Sequence, residues 1–506
     1  MPHKIQILKL NPTMQLVPEA IEQFARQEKP LVKLSGQSRQ VMRRSQKTLG
    51  QLRAKEKPIY GVTTGFGPFV RYAATKPGSE SHGLGLISHL CAGFGNPAAD
   101  EIVRAAMIIR ARTLAQGHSA VSPEVVDAYL NIIFAGIVPE VPEMGSVGAS
   151  GDLIPLAFLA RALRGLGHVR MNGRRLTAAV AMKRAGLQTL KPVSRDVLGL
   201  VNGTSFMTAY AALALCRAER LIEHAHWLTG WAYRLLGCRA QALDPRLHRA
   251  RGHLGQMESA KRILHHAMQD GPFEDAARPL QEVYSLRCAP QILGACMDQL
   301  AHARTLIERE INGVNDNPLI FADSAEGPMD ALHGGNFQGQ QIAFAADTIN
   351  SAITQVAVLV ERQIDVVLSP IHNGDAPLLL AWEPGPCSGM AGAQITATAL
   401  VADLRHHNQP AATSSIPTNG GNQDVVSMGT NAARHAFHQT PRCAAVLSVM
   451  ALCLHRLRDL RRVGRTSGIV GTVPAQLPAC PSFKQDISLC ADIQRIAGEL
   501  LLSSQV

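Results

Sequence analysis

The stretch IAFAADTINSAITQVAVLV, residues 342–360, decides the fold. Its apolar residues Ile342, Ala346, Ile349, Ile353, Val356 and Val360 are spaced 4, 3, 4, 3 and 4 apart. That spacing is one face of an α-helix, sustained for about five turns at ~3.6 residues each. A second stripe, Leu293, Met297, Leu300, Ile307 and Ile311, runs into Asn312-Gly313, a pair suited to stop a helix. Helices of this length pack as a bundle rather than as the crossovers of an α/β sheet. Strand-like alternation is confined to short pieces. One is His168-Val169-Arg170-Met171 before the Asn172-Gly173 turn, and others lie around Val32 and Leu34 in the mixed, basic segment 1–60. Glycine-rich loops alternate with helical stretches from about residue 60 to 165. Long helices dominate from 203 onward, and neither a repeat nor a separating linker is visible. The expectation is a mainly α protein. A smaller mixed N-terminal region, 1–202, precedes a long central helical bundle, 203–506.

Composition removes several classes. With 46% apolar residues in a chain of 506, there is ample surface for a large core, which excludes disorder as the main state. The net charge of +11 spreads thinly over such a length, and 4% aromatics is too few for base-stacking platforms, so no nucleic-acid partner is expected. The ten cysteines form no C-x-x-C pair and none stands at zinc spacing from a histidine. They read as buried thiols of a cytosolic protein. The pairs His224/His226, His265/His266 and His406/His407 lack an H-E-x-x-H context, and no metal is expected. The opening MPHKIQILKLNP has no apolar core of a signal peptide, and no uncharged apolar run reaches ~18 residues, so a cytoplasmic protein without a membrane span is expected. The basic run His455–Arg465 reads as a solvated face or a subunit contact.

Four loops rich in Gly, Asn, Ser and Pro sit between apolar helices. They are Tyr60–Pro68 (YGVTTGFGP), Gly145–Pro155 (GSVGASGDLIP), Ala331–Gln338 (ALHGGNFQ) and Thr418–Met428 (TNGGNQDVVSM). Each alone is a tight helix connection. Four together suggest backbone converging on a ligand, where glycine permits close approach. Familiar signatures fail: Gly148-Ala149-Ser150-Gly151 is followed by Asp152, not by the glycine of a nucleophile elbow, and no phosphate-binding or dinucleotide-binding glycine loop is present.

Ala149-Ser150-Gly151 within GSVGASGDLIPL carries the chemistry. The segment resembles the prosthetic-group loop of the aromatic amino acid ammonia-lyase family, the histidine, phenylalanine and tyrosine ammonia-lyases and related aminomutases, and the resemblance spans nearly the whole chain. It implies that the tripeptide cyclises unaided to 4-methylidene-imidazol-5-one (MIO). The Gly151 nitrogen attacks the Ala149 carbonyl, two waters leave, and Ser150 becomes a dehydroalanine. Glycine supplies an unhindered nitrogen, alanine a small neighbour and serine a β-hydroxyl that can be eliminated. No external cofactor is then needed.

Further roles come from the same resemblance, segment by segment. Tyr60 in YGVTTGFG resembles the base that removes the substrate's β-proton; a phenol of pKa ~10 must be shifted down to do so. Gly67 lies against the substrate. Asn202 in LVNGTS resembles the residue that hydrogen-bonds the ring. Tyr284 and Arg287 in YSLRCAPQ resemble the second active-site tyrosine and the carboxylate-binding arginine, a task suited to a planar guanidinium. Asn317 in NDNP is another carboxylate-side partner, and Phe337 in GGNFQG packs beside the ring. The family also implies a homotetramer whose core is shared helices and whose active sites each draw on three chains.

Some positions depart from the family pattern: Cys387-Ser388-Gly389-Met390-Ala391 replaces the usual NSGFM, Ala376-Pro377-Leu378-Leu379-Leu380 replaces a proline-phenylalanine stretch, and Phe158 stands where histidine is common. Three positions bear on the substrate. Gln423 occupies the site of a glutamate in histidine ammonia-lyases, which argues against histidine. His89-Leu90 matches the pair found in tyrosine lyases, and an imidazole there can hydrogen-bond a phenolic hydroxyl. Leu153 is an apolar neighbour that suits any aromatic ring. The reading is an ammonia-lyase converting L-tyrosine to trans-4-hydroxycinnamate (p-coumarate). Phenylalanine or histidine lyase, tyrosine 2,3-aminomutase, and an inactive binding protein of the same fold are the alternatives.

Overall fold

A computed structural model describes residues 7–72, 80–192, 195–471 and 479–502, with no side-chain detail at 80–83. Residues 1–6, the start of the stretch read for a signal peptide, lie outside it. The molecule is mainly helical, as the periodicity requires, and its longest helices are Ser205–Leu236, Ala289–Asn312, Gln340–Leu368 and Gly429–Arg462. The stripe from Ile342 to Val360 lies on Gln340–Leu368, and all six of its residues are fully buried. By length and composition this helix could also cross a bilayer; here its apolar face is taken up by protein core. The second stripe ends where the sequence indicated. The Asn312 side chain exchanges hydrogen bonds of 2.8 Å with both backbone groups of Leu16, and Gln116 Nε2 donates to the Asn312 carbonyl (3.0 Å), a partner the helix terminus lacks within itself.

The strands are few and short. Ile7–Leu10 pairs in parallel with Leu31–Leu34. His168–Met171 and Arg174–Thr177 form the expected hairpin, turning through Asn172 and Gly173, both at positive φ as a two-residue turn demands.

The chain divides into two compact units. The first comprises residues 1–213, 304–347 and 410–434. Its centre is the helix Asp100–Leu114, in which every residue from Ile102 to Leu114 is buried, including Arg104, Arg110 and Arg112. The helix Leu153–Leu163 packs against Glu80–Leu90 and Arg195–Val201. Those contacts fix the loop Gly145–Asp152 that leads into it.

The second unit comprises residues 214–303, 348–409 and 435–506. Its helices Leu254–Met268 and Ala289–Asn312 cross at Gly255 and Gly294, where a Cβ on Gly255 would meet the Gly294 carbonyl oxygen at 2.2 Å. Only glycine allows that approach. The basic run His455–Arg465, expected as a solvated face or a subunit contact, is solvated only in part: Arg462 and Arg465 are exposed. Arg456 and Arg461 are buried, with Arg456 Nε donating to the Leu380 carbonyl (3.0 Å) and Arg461 Nη1 to the carbonyls of Leu235 and Ile469. Backbone carbonyls inside this unit take the charges that a helical-wheel reading assigns to water.

Candidate active site

All four glycine-rich loops meet at one cavity of about 980 Å³ in the first unit. Its wall includes twelve of the sequence-designated residues: Tyr60, Gly67, His89, Leu90, Ala149, Ser150, Gly151, Leu153, Asn202, Asn317, Phe337 and Gln423. Tyr284 and Arg287 are not among its lining residues. They form a short helix in the second unit, where the Arg287 guanidinium lies 4.6 Å over the Tyr284 ring and Tyr284 is 68% exposed.

The tripeptide is held from several directions. Gly148 and Gly151 adopt φ of 74° and 67°, and an isolated bridge pairs Ala149 with Gly151, so the chain doubles back on itself. A second bridge joins Gly151 to Gly203. A Cβ on Gly151 would fall 2.2 Å from the Gly203 oxygen, so no other residue fits. The Asn202 amide has one orientation available. Its Oδ1 accepts from the Asn317 N–H (2.9 Å), which leaves Nδ2 to donate to the Ser150 carbonyl (2.9 Å). Gln423 is oriented likewise: the Thr418 hydroxyl donates to its Oε1 (2.5 Å), and Nε2 donates to Ser150 Oγ (2.7 Å).

Asp152 is a site residue that the sequence reading missed. Its fully buried carboxylate accepts from Ser146 Oγ (3.0 Å), Thr430 Oγ1 (2.6 Å) and the backbone N–H groups of Phe206 (3.0 Å) and Met207 (2.8 Å). The last two belong to the first turn of Ser205–Leu236, where a carboxylate is favoured. Burial nonetheless pushes its pKa up to about 6, against those four hydrogen bonds. A lone acid directly after Ala-Ser-Gly and before an apolar helix was the available signal. Asn419 was also missed. It holds a positive φ of 54°, and its Nδ2 would sit 2.7 Å from any Cβ added to Gly67.

Tyr60 lines the same cavity as the tripeptide. Its backbone N–H donates to His333 Nε2 (3.1 Å) and its hydroxyl oxygen accepts from the Gly67 N–H (2.7 Å). The expected downward pKa shift is not found within one chain. Burial raises it, and the Gly67 N–H only opposes the rise. The reason is plain from the wall, which contains no Lys or Arg among the described residues. His89 lines the same cavity, and its Nδ1 donates to the Gly85 carbonyl (2.9 Å), which leaves Nε2 as an acceptor.

A doubled-back Ala-Ser-Gly, a serine whose hydroxyl and carbonyl are both gripped by amides, and a tyrosine oxygen in the same cavity define a class of enzyme. It is one that makes its electrophile from its own backbone. The family model "Aromatic amino acid lyase" matches residues 16–477, and the chain belongs to that family. It is 37% identical over 434 residues to histidine ammonia-lyase of Treponema denticola, covering 85% of this chain and 84% of the relative. With histidine ammonia-lyase of Bacillus subtilis it shares 35% over 475 residues, covering 93% and 92%. Among solved structures, tyrosine aminomutase from Streptomyces globisporus matches with a TM-score of 0.88 at 33% identity, covering 98% and 97%. The family's prosthetic group is MIO, formed autocatalytically, and no external cofactor is needed. The residues present fit it: Ala149, Ser150 and Gly151 would supply its atoms, Asn202 would hold the ring through the Ser150 carbonyl, and Gln423 grips the Ser150 hydroxyl that ring formation expels.

Proposed function

We propose that the protein is a tyrosine ammonia-lyase that eliminates ammonia from L-tyrosine to give p-coumarate. The observation that carries the substrate choice is His89. With Nδ1 engaged by Gly85, Nε2 is an acceptor at the cavity wall, matched to a phenolic O–H. Gln423 supports it, because an amide there offers no negative charge to an imidazole ring. The apolar neighbours Leu90 and Leu153 accept the ring itself. When formed, the prosthetic ring supplies an electrophilic methylidene carbon toward the substrate amine. Tyr60 removes the β-proton with the oxygen now held by Gly67.

The substrate carboxylate needs a cation, and the cavity wall has no Lys or Arg among the described residues. Arg287 takes that role from a neighbouring copy in a homotetramer, with Tyr284 beside it, and its charge lowers the Tyr60 pKa toward the working range. The exposure of Tyr284 supports this reading. A cytoplasmic location fits the ten cysteines, all free.

The second reading is histidine as substrate, favoured by the curated relatives, which are histidine ammonia-lyases. The same Nε2 would then accept an imidazole N–H. Separate incubations with tyrosine, phenylalanine and histidine, with products identified by absorbance and mass, decide between them. p-Coumarate from tyrosine at the highest kcat/KM supports the proposal, and urocanate from histidine as the main product overturns it. β-Tyrosine would reassign the protein to the aminomutases.

A further inference from the structure

We infer that Arg110 is a positioning residue for ring formation, acting as a rigid backstop behind Gly203. The inference rests on the family's ring-forming reaction and assigns part of it to a buried charge network outside the cavity.

Gly203 is caught between two surfaces. On one side lies the tripeptide: a Cβ on Gly151 would meet the Gly203 carbonyl oxygen at 2.2 Å and its Cα at 2.8 Å. The Asp152 N–H also donates to that carbonyl at 2.7 Å. On the other side lies Arg110: a Cβ on Gly203 would meet Arg110 Nη1 at 2.1 Å and Asn315 Oδ1 at 2.8 Å. The segment therefore has no room to recede from the tripeptide.

The backstop is itself immobilised. Arg110 is fully buried on Asp100–Leu114. Its Nε donates to the Gly199 carbonyl (2.8 Å), Nη1 to Asn315 Oδ1 (3.2 Å) and Nη2 to Asp316 Oδ2 (3.2 Å) as well as to Gly199. Arg195 holds the same Asp316 oxygen at 2.8 Å. A planar guanidinium with fixed donors suits this task better than a flexible ammonium. The residues flanking Gly203 are tethered too. Asn202 is bonded to Asn317, and the Thr204 hydroxyl donates to the Glu310 carboxylate, which also accepts from Asn315 Nδ2 at 3.2 Å.

The reaction requires the Gly151 nitrogen to approach the Ala149 carbonyl carbon. A new N–C bond forms. The Ala149 oxygen leaves as water with the Gly151 and Ser150 amide hydrogens, closing a C=N bond. Ser150 loses Oγ–H and its Cα hydrogen as the second water. Nothing is oxidised or reduced. The approach is unfavourable for an extended chain, and holding reacting groups at near-contact is worth orders of magnitude in rate. Gly203, pressed from behind, prevents the tripeptide from straightening.

The test uses the full-length protein, with intact mass as readout. Arg110→Lys keeps the charge and loses the fork. Thr204→Val keeps shape and loses the tether, and Thr204→Ser restores the hydroxyl. Folding is checked by thermal melting and sedimentation, and loss of two waters is followed with time after expression. Folded Arg110→Lys and Thr204→Val should lose the two waters at least several-fold more slowly than wild type, with Thr204→Ser close to wild type. Wild-type rates in both folded variants overturn the inference and leave Arg110 a structural residue. If Arg110→Lys does not fold, the isosteric Thr204→Val decides alone. A wild type that never loses two waters removes the ring itself, a result separate from an unchanged variant.

Discussion

Replacing His89 by phenylalanine should shift the enzyme from tyrosine toward phenylalanine. In the wild type, Nδ1 is committed to the Gly85 carbonyl, so Nε2 of the neutral ring is an acceptor. A tyrosine hydroxyl satisfies it. Phenylalanine leaves it without a partner. A neutral hydrogen bond contributes about 0.5–1.5 kcal/mol net, and an unsatisfied buried acceptor costs about 1–3 kcal/mol. His89 is exposed within one chain, so water reaches it more readily than a sealed pocket allows. The full discrimination of ~10⁴–10⁵ seen for dry hydroxyl-binding sites is therefore not expected. With water able to replace the lost partner, only the net hydrogen-bond contribution of about 0.5–1.5 kcal/mol remains, roughly twofold to tenfold in the ratio of kcat/KM for tyrosine over phenylalanine. The assay is initial-rate absorbance of p-coumarate and cinnamate for both substrates with both enzymes. His89→Phe should lower the tyrosine value and raise the phenylalanine value. An unchanged ratio would refute the reasoning, because His89 would then serve only its own helix through Gly85.

Other perturbations test other parts of the site. Ser150→Ala should fold, keep its thermal transition and lack both the two-water mass loss and measurable lyase turnover; turnover in an unmodified chain would end the prosthetic-group account. Arg287→Ala should raise KM and lower kcat together, since loss of a charge-assisted carboxylate pair costs on the order of 2–5 kcal/mol, or about thirtyfold or more in kcat/KM; unchanged kinetics would exclude it from the site. Asp152 should leave a pH signature in stability. Its folded pKa of about 6 is above the ordinary carboxyl value of about 4, so its contribution is fully present below pH ~4 and is lost as pH rises through about 6, on the order of 3 kcal/mol. In denaturant titrations at both pH values, Asp152→Asn should gain stability relative to wild type at the higher pH, and a constant difference would show that the carboxyl does not titrate there.

The sequence by itself determined whatever is encoded contiguously. Helix length followed from the 3.6-residue period of residues such as Ile342 to Val360, because a helix writes its buried face into local spacing. The Ala149-Ser150-Gly151 tripeptide was legible through its resemblance to the family's prosthetic-group loop, whose contiguous residue types suit cyclisation. Tyr60, Asn202, Phe337 and Gln423 stood out through the segments that contain them, and they line one cavity; Asn172-Gly173 was legible through its turn geometry. Tertiary structure alone decided which partners these residues have. The orientation of Asn202 depends on Asn317, 115 residues away, and that of Ser150 Oγ on Gln423, 273 residues away. Asp152, Arg110 and Glu310 went unread because a charged residue inside an apolar helix, or beside one, looks solvated until its buried partners are known. Arg110 meets Asn315 across 205 residues of chain. The upward shift of Tyr60 has the same origin. A pKa is set by burial and by the charges that surround a group in space, and the cavity wall around Tyr60 has no Lys or Arg among the described residues.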